Sequence, residues 1–143
     1  LIATIPDWIS GKLQAQPQDD DRATYAPQIA KSQGAIDWHR TAIEIDRQIR
    51  AFTPWPGAYC DCQSRRLKIL KAHPLSEWRG PGEPGSVQEV EGWIGVVTGG
   101  GLLLLDQVQL AGKRAMDVKQ FARGSRHFVG SVLGSICADA QAQ

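Results

Sequence analysis

Apolar side chains recur at helical spacing in two places and at strand spacing in several others, and that division sets the expected fold. Ile2, Ile5 and Ile9 follow a helical period, with Trp8 beside them and Gly11 placed as a terminator; Pro6 keeps the helix short and bent. Gln14 to Asp21 is polar, contains Pro17 and has no period, which predicts a linker. The best-marked element follows. Thr41 and Glu44 stand at capping-box spacing, and behind them Ala42, Ile45, Ile49 and Phe52 form one apolar stripe with Arg47 and Arg50 off it. Pro54 disfavours helical backbone at Thr53 and stops the element.

Beyond Pro56 the period becomes strand-like. Leu67, Ile69 and Lys71 alternate with Arg66, Lys68 and Leu70, a strand of imperfect two-sided character. Ser86 to Glu91 predicts another. Trp93 to Thr98 and Leu102 to Gln109 bracket Gly99-Gly100-Gly101, which predicts a hairpin because glycine tolerates the positive φ of tight turns. Asp117 is placed to cap a short helix through Phe121 that ends at Gly124, and His127 to Leu133 predicts a last short strand. Five or six strands with few helices and no long βαβ spacing predict a small antiparallel barrel.

Composition adds limits. With 143 residues and 42% hydrophobic side chains, one core forms without disulfides or metal. The longest apolar run, Leu102 to Leu105, is far too short to span a membrane. Three cysteines and the lack of a cationic leader predict a reducing, cytoplasmic setting. The only methionine is Met116 and the chain opens inside a helix, which predicts a piece of a longer protein.

Charge is nearly balanced in total, 16 Lys and Arg against 15 Asp and Glu, but unevenly spread. Residues 28–72 carry a net of +4 and residues 106–143 a net of +2, around an acidic block of −3 at residues 73–105. Two basic blocks of this kind can fold into one positive face. Arg65, Arg66, Lys68 and Lys71 line a strand and its leading turn, and Lys113-Arg114 occupies another turn. Such residues contact phosphates without reading bases, or else form an ordinary solvated surface.

Other motifs carry less. Cys60 and Cys62 fall on one face of a strand and do not make a tetrahedral metal set with His73, His127 or Cys137, so no metal is expected. There is no nucleophile elbow, dinucleotide fingerprint or phosphate loop, and no catalytic residues are expected in the chain. Pro54-Trp55-Pro56 presents an indole from a stiff corner, either as a packing anchor beside the barrel or as a stacking platform for a nucleobase.

Several runs, in order, resemble methionyl-tRNA formyltransferases: Tyr25-Ala26-Pro27-Gln28-Ile29, Gly34-Ala35-Ile36-Asp37-Trp38, the stretch from Ile49 to Ala58, Leu67-Lys68-Ile69, Gly95 to Gly101, and Ala111 to Met116. The resemblance implies an open Greek-key barrel of OB-like form with a leading helix and one short internal helix. It also implies that residues 1–27 are the end of a catalytic domain and a linker, and that 28–143 are the carboxy-terminal barrel domain. In that family the catalytic domain moves a formyl group from 10-formyltetrahydrofolate to initiator methionyl-tRNA, using an Asn, His and Asp set. This chain has no asparagine, so the cosubstrate and the chemistry are expected on the other domain.

By motif position the resemblance adds Lys31 and Arg50 to Arg65, Arg66, Lys68, Lys71, Lys113 and Arg114 as tRNA contacts, with Trp38, Pro54, Trp55 and Pro56 as a structural corner. A cytoplasmic monomer is the expectation, with the catalytic domain and tRNA as its partners. The alternative is a packing domain of a related formyl-folate or nucleotide-sugar formyltransferase.

Overall fold

The capping box opens the leading helix as its spacing requires. The Glu44 amide donates to Thr41 Oγ1 at 3.3 Å, and the Thr41 amide donates to the Glu44 carboxylate at 2.9 Å. In the computed structural model, which describes residues 2–134, this helix is α2 (Ala42–Phe52); a short α1 (Thr4–Ile9) precedes it and α3 (Val118–Gly124) comes late. Between them lie β1 (Ala58–Cys62), β2 (Arg65–Leu75), β3 (Val87–Val90), β4 (Trp93–Val97), β5 (Leu102–Leu110) and β6 (Met116–Asp117). Ala42, Ile45 and Ile49 are buried where α2 packs against β2 and β5.

The strands form one sheet in the order β1-β2-β5-β4-β3, with β6 pairing with β5. Every ladder is antiparallel. The fold is thus mainly β, antiparallel and open, consistent with the small OB-like barrel expected. Its interior holds Ile36, Trp38, Ile45, Leu67, Ile69, Leu103, Leu105 and Phe128. A smaller cluster of Val97, Leu102 and Leu104 packs with Trp78 and Val90.

Three differences from the sequence expectation have physical causes. The register of β2 on β5 shifts between Ile69 and Ala72, so Ala72 rather than Lys71 joins the core side; a bulge explains the imperfect alternation. His127 to Leu133 is not a strand. Turn bonds from the Phe128 amide to Ser125 and from the Ser131 amide to Phe128 fold it back, and Phe128 plugs the core. The segment then ties the two open edges together. Gly134 exchanges hydrogen bonds of 2.9 and 3.0 Å with Asp61 of β1, while the Leu133 amide reaches Gly85 and the Val87 amide reaches Ser131, both at 2.8 Å. Last, β6 adds a two-residue strand that has no sequence period of its own.

The glycine hairpin does more than turn. The Gly99 amide donates to the Trp38 and Arg40 carbonyls, and the Ala42 amide donates to Gly100. A Cβ on Gly99 would collide with the His39 carbonyl, so this close approach to the start of α2 requires glycine. By contrast, α1 forms at the expected place but buries none of its residues, and all of residues 2–30 are exposed. Among the described residues no helix is long and apolar enough to cross a membrane.

Candidate nucleic-acid interface

Strand alternation on β2 sends Leu67 and Ile69 inward and leaves Arg66 and Lys68 on the other face. Arg66 and Lys68 pair in register with Asp61 and Tyr59 of β1. The Arg66 guanidinium lies 4.3 Å over the Tyr59 ring, a cation–π contact. The Tyr59 hydroxyl donates to the Lys31 carbonyl at 3.2 Å, which brings the turn Lys31–Gly34 to the same place.

The turn between β5 and β6 organises the rest. On one side of it, Arg66 and Lys68 border a groove of about 190 Å³ with Gln109, Ala111 and Gly112. On the other side, Arg65 donates to the Ala111 carbonyl at 3.0 Å and, with Lys113, borders a larger cavity of about 460 Å³. Arg65, Arg66, Lys68 and Lys113 therefore surround one turn, although Lys113 lies more than forty positions beyond the other three.

The remaining candidates are placed less uniformly. Arg114 follows Lys113 and is exposed; Lys71 lies beyond the bulge opposite Gln107. Among the described residues Lys31, Arg65, Arg66, Lys68, Lys71, Lys113 and Arg114 make no ion pair. Arg50 differs. It is held by Asp46 at 3.0 Å on α2, and no contact brings it to the β5–β6 turn.

The structural corner divides. Trp38 is buried in the core, and Pro56 is buried where the Gly57 amide closes the bend onto the Phe52 carbonyl at 2.9 Å. Pro54 is exposed and Trp55 is 55% exposed, so about half of the indole faces solvent.

Groups with chemical potential lie elsewhere. His39 and His73 meet Asp37 and Asp106 at 3.1 and 3.2 Å, but no Ser, Thr or Cys side chain bonds to either ring among the described residues. A hydrogen bond from the His39 amide holds the Asp37 carboxyl below its usual range. Burial pushes the Cys60 and Cys62 thiols up, away from the reactive thiolate. Among the described residues no group of three His, Cys, Asp or Glu side chains is arranged to hold a metal ion; Cys137 lies outside them.

Sequence reasoning missed Tyr59, whose only signal is its place opposite Lys68. It also missed a cluster in which Lys119 lies 5.0 Å from the Trp93 ring and His73 meets that ring edge-on at 5.8 Å. Those residues come from three elements and share no linear motif.

Comparison with known proteins places this geometry in a family. The chain is 40% identical over 126 residues to the methionyl-tRNA formyltransferase of Herpetosiphon aurantiacus, covering 88% of this chain and 41% of that protein. It is 40% identical over 136 residues to that of Bacillus subtilis, covering 94% and 43%. The chain thus spans about two-fifths of the length of these relatives. Among solved structures, HypX from Aquifex aeolicus in complex with tetrahydrofolic acid is similar in fold, with a TM-score of 0.61 and 18% identity, over 92% of this chain and 23% of that one. Residues 28–126, which contain the leading helix, the sheet and the basic turn, match the formyl transferase C-terminal domain, and the chain belongs to that family.

Proposed function

We propose that this chain is the RNA-binding carboxy-terminal part of a methionyl-tRNA formyltransferase. It supplies sequence-independent electrostatic contacts to initiator tRNA, in the cytoplasm and as a monomer. Residues 1–27 are the end of the catalytic domain and the linker, and residues 28–143 the binding domain. The exposure of Ile2, Trp8 and Ile9 supports that division, since an apolar helix with no buried residue belongs against something outside the barrel.

The formyl donor, 10-formyltetrahydrofolate, and the transfer step belong to the catalytic domain in this reading. The chain has no asparagine, so the residues present do not fit the Asn, His and Asp set of formyl transfer. The observation that carries the RNA reading is the gathering of Arg65, Arg66, Lys68 and Lys113 around one turn with no ion-paired carboxylate. Cations without a carboxylate partner can neutralise phosphates without first breaking an ion pair.

Titration with initiator tRNA across salt concentrations tests it. Binding should weaken steeply as salt rises, with a slope of about −0.9 for each phosphate contacted. Binding that is insensitive to salt, or no stronger than that of a neutral barrel domain, would remove the proposal.

A further inference from the structure

The cavity of about 460 Å³ beside the basic turn has a make-up that phosphate contact alone does not require. Its walls are Cys62, Leu110, Met116 and Phe121, from β1, β5, β6 and α3, and its volume falls within the roughly 300–1,000 Å³ of small-molecule sites. Arg65 and Lys113 stand at its border, and no carboxylate lines it. A recess with apolar walls, the neutral polar Gln63, Gln120 and Ser125, and cations as its only charged groups suits a ligand that joins a flat, largely apolar body to an anion.

The neighbouring groove narrows the class. Leu110 is common to both depressions, so the cationic border continues from Arg65 and Lys113 across the β5–β6 turn to Arg66 and Lys68. A single small anion would use one pair of these charges. A chain of repeating phosphates with flat apolar plates between them uses both pairs and the recess together. Resting on the RNA-binding reading above, we propose that this cavity receives one unpaired nucleobase of the bound RNA, with its flanking phosphates held by Arg65 and Lys113 on one side of the turn and by Arg66 and Lys68 on the other. The thioether of Met116 and the ring of Phe121 supply sequence-tolerant contact with the base. A base paired in a duplex cannot enter without leaving its stack, so the site favours loops and single-stranded ends.

Gly124 gives a direct test. It lines the cavity, its backbone is not left-handed, and a Cβ there meets nothing within 4 Å, so Gly124→Leu adds bulk at the cavity wall without strain. The chain and this variant are titrated with a single-stranded oligouridylate and with inorganic polyphosphate of equal charge. The wild-type chain should prefer the RNA, and Gly124→Leu should weaken RNA binding by about tenfold while leaving polyphosphate binding unchanged. Equal wild-type affinity for the two polyanions, or an unchanged RNA affinity in the variant, overturns the base pocket and leaves the electrostatic reading standing. Binding of neither polyanion overturns both. If thermal melting shows Gly124→Leu misfolded, Met116→Ala, which removes one of the side chains assigned to contact the base and leaves the cations in place, makes the same test: RNA binding should weaken and polyphosphate binding should not.

Discussion

The cations of α2 and those around the β5–β6 turn carry the same charge but have different partners. Arg50 on α2 reaches Asp46 at 3.0 Å and Arg40, just before the helix, reaches Glu44 at 3.5 Å, because a helix returns to the same face after four residues; Arg47 makes no ion pair among the described residues. Along β2, alternate residues leave on opposite faces, and partners come from other strands. The cross-strand neighbours of Arg66, Lys68 and Lys71 are Asp61, Tyr59, Gln109 and Gln107. Asp61, the one carboxylate among them, accepts from the Ser64 amide at 2.9 Å instead. Charge counted along a sequence therefore says little about charge available to a ligand. The period of the element decides where a local partner can come from.

The contrast is broken most severely by reversing the turn charges. Arg66→Glu combined with Lys113→Glu should lower tRNA affinity by about a hundredfold at low salt and flatten the salt slope by about 2, read by fluorescence anisotropy. A loss of less than about threefold would mean that the free cations are as idle as the paired ones. Thr41→Ala acts on α2 alone: the melting curve should show about 1 kcal/mol of lost stability, with tRNA affinity unchanged.

That variant also has a pH signature. Hydrogen bonds from the Thr41 backbone amide, which the variant keeps, and from the Thr41 hydroxyl, which it loses, hold the Glu44 carboxyl below its ordinary 4.5, so the variant gives up the hydroxyl's share. A depressed carboxyl stabilises the fold above its unfolded pKa, and the contribution is lost as pH falls through the folded value. The stability difference between wild type and Thr41→Ala should thus be largest above about pH 5 and shrink on acidification. The smallest effect belongs to Arg50→Ala. An exposed pair four residues apart contributes less than about 0.5 kcal/mol, and tRNA affinity should stay within about twofold.

Local signals were legible in the sequence and spatial ones were not. Thr41 and Glu44 announced α2, Asp117 announced α3 with amide bonds from Lys119 and Gln120, and three glycines announced the hairpin. Each is decided within a few residues. The bulge in β2 showed only as a flaw in alternation, since the extra residue is fixed by the partner strand. The role of Trp55 stayed open, because stiffness at a Pro-Trp-Pro corner does not reveal which way the ring points. Six of the eight proposed contacts, Lys31, Arg65, Arg66, Lys68, Lys113 and Arg114, lie at or near the β5–β6 turn or are tied to it through Tyr59. Arg50 is bound up with Asp46, a partner visible at helical spacing but not weighed. The apolar recess could not be read at all, being assembled from four elements.

The stitch made by Leu133 and Gly134 has a consequence for any shortened form of this protein. It occupies main-chain groups on β1 and beside β3 that would otherwise be left to solvent. Cut away, it would leave unpaired main-chain groups at Asp61 and beside β3, a template on which a neighbouring molecule could lay a strand. The last few described residues thus guard against aggregation, although they touch none of the cations on which the proposed binding depends.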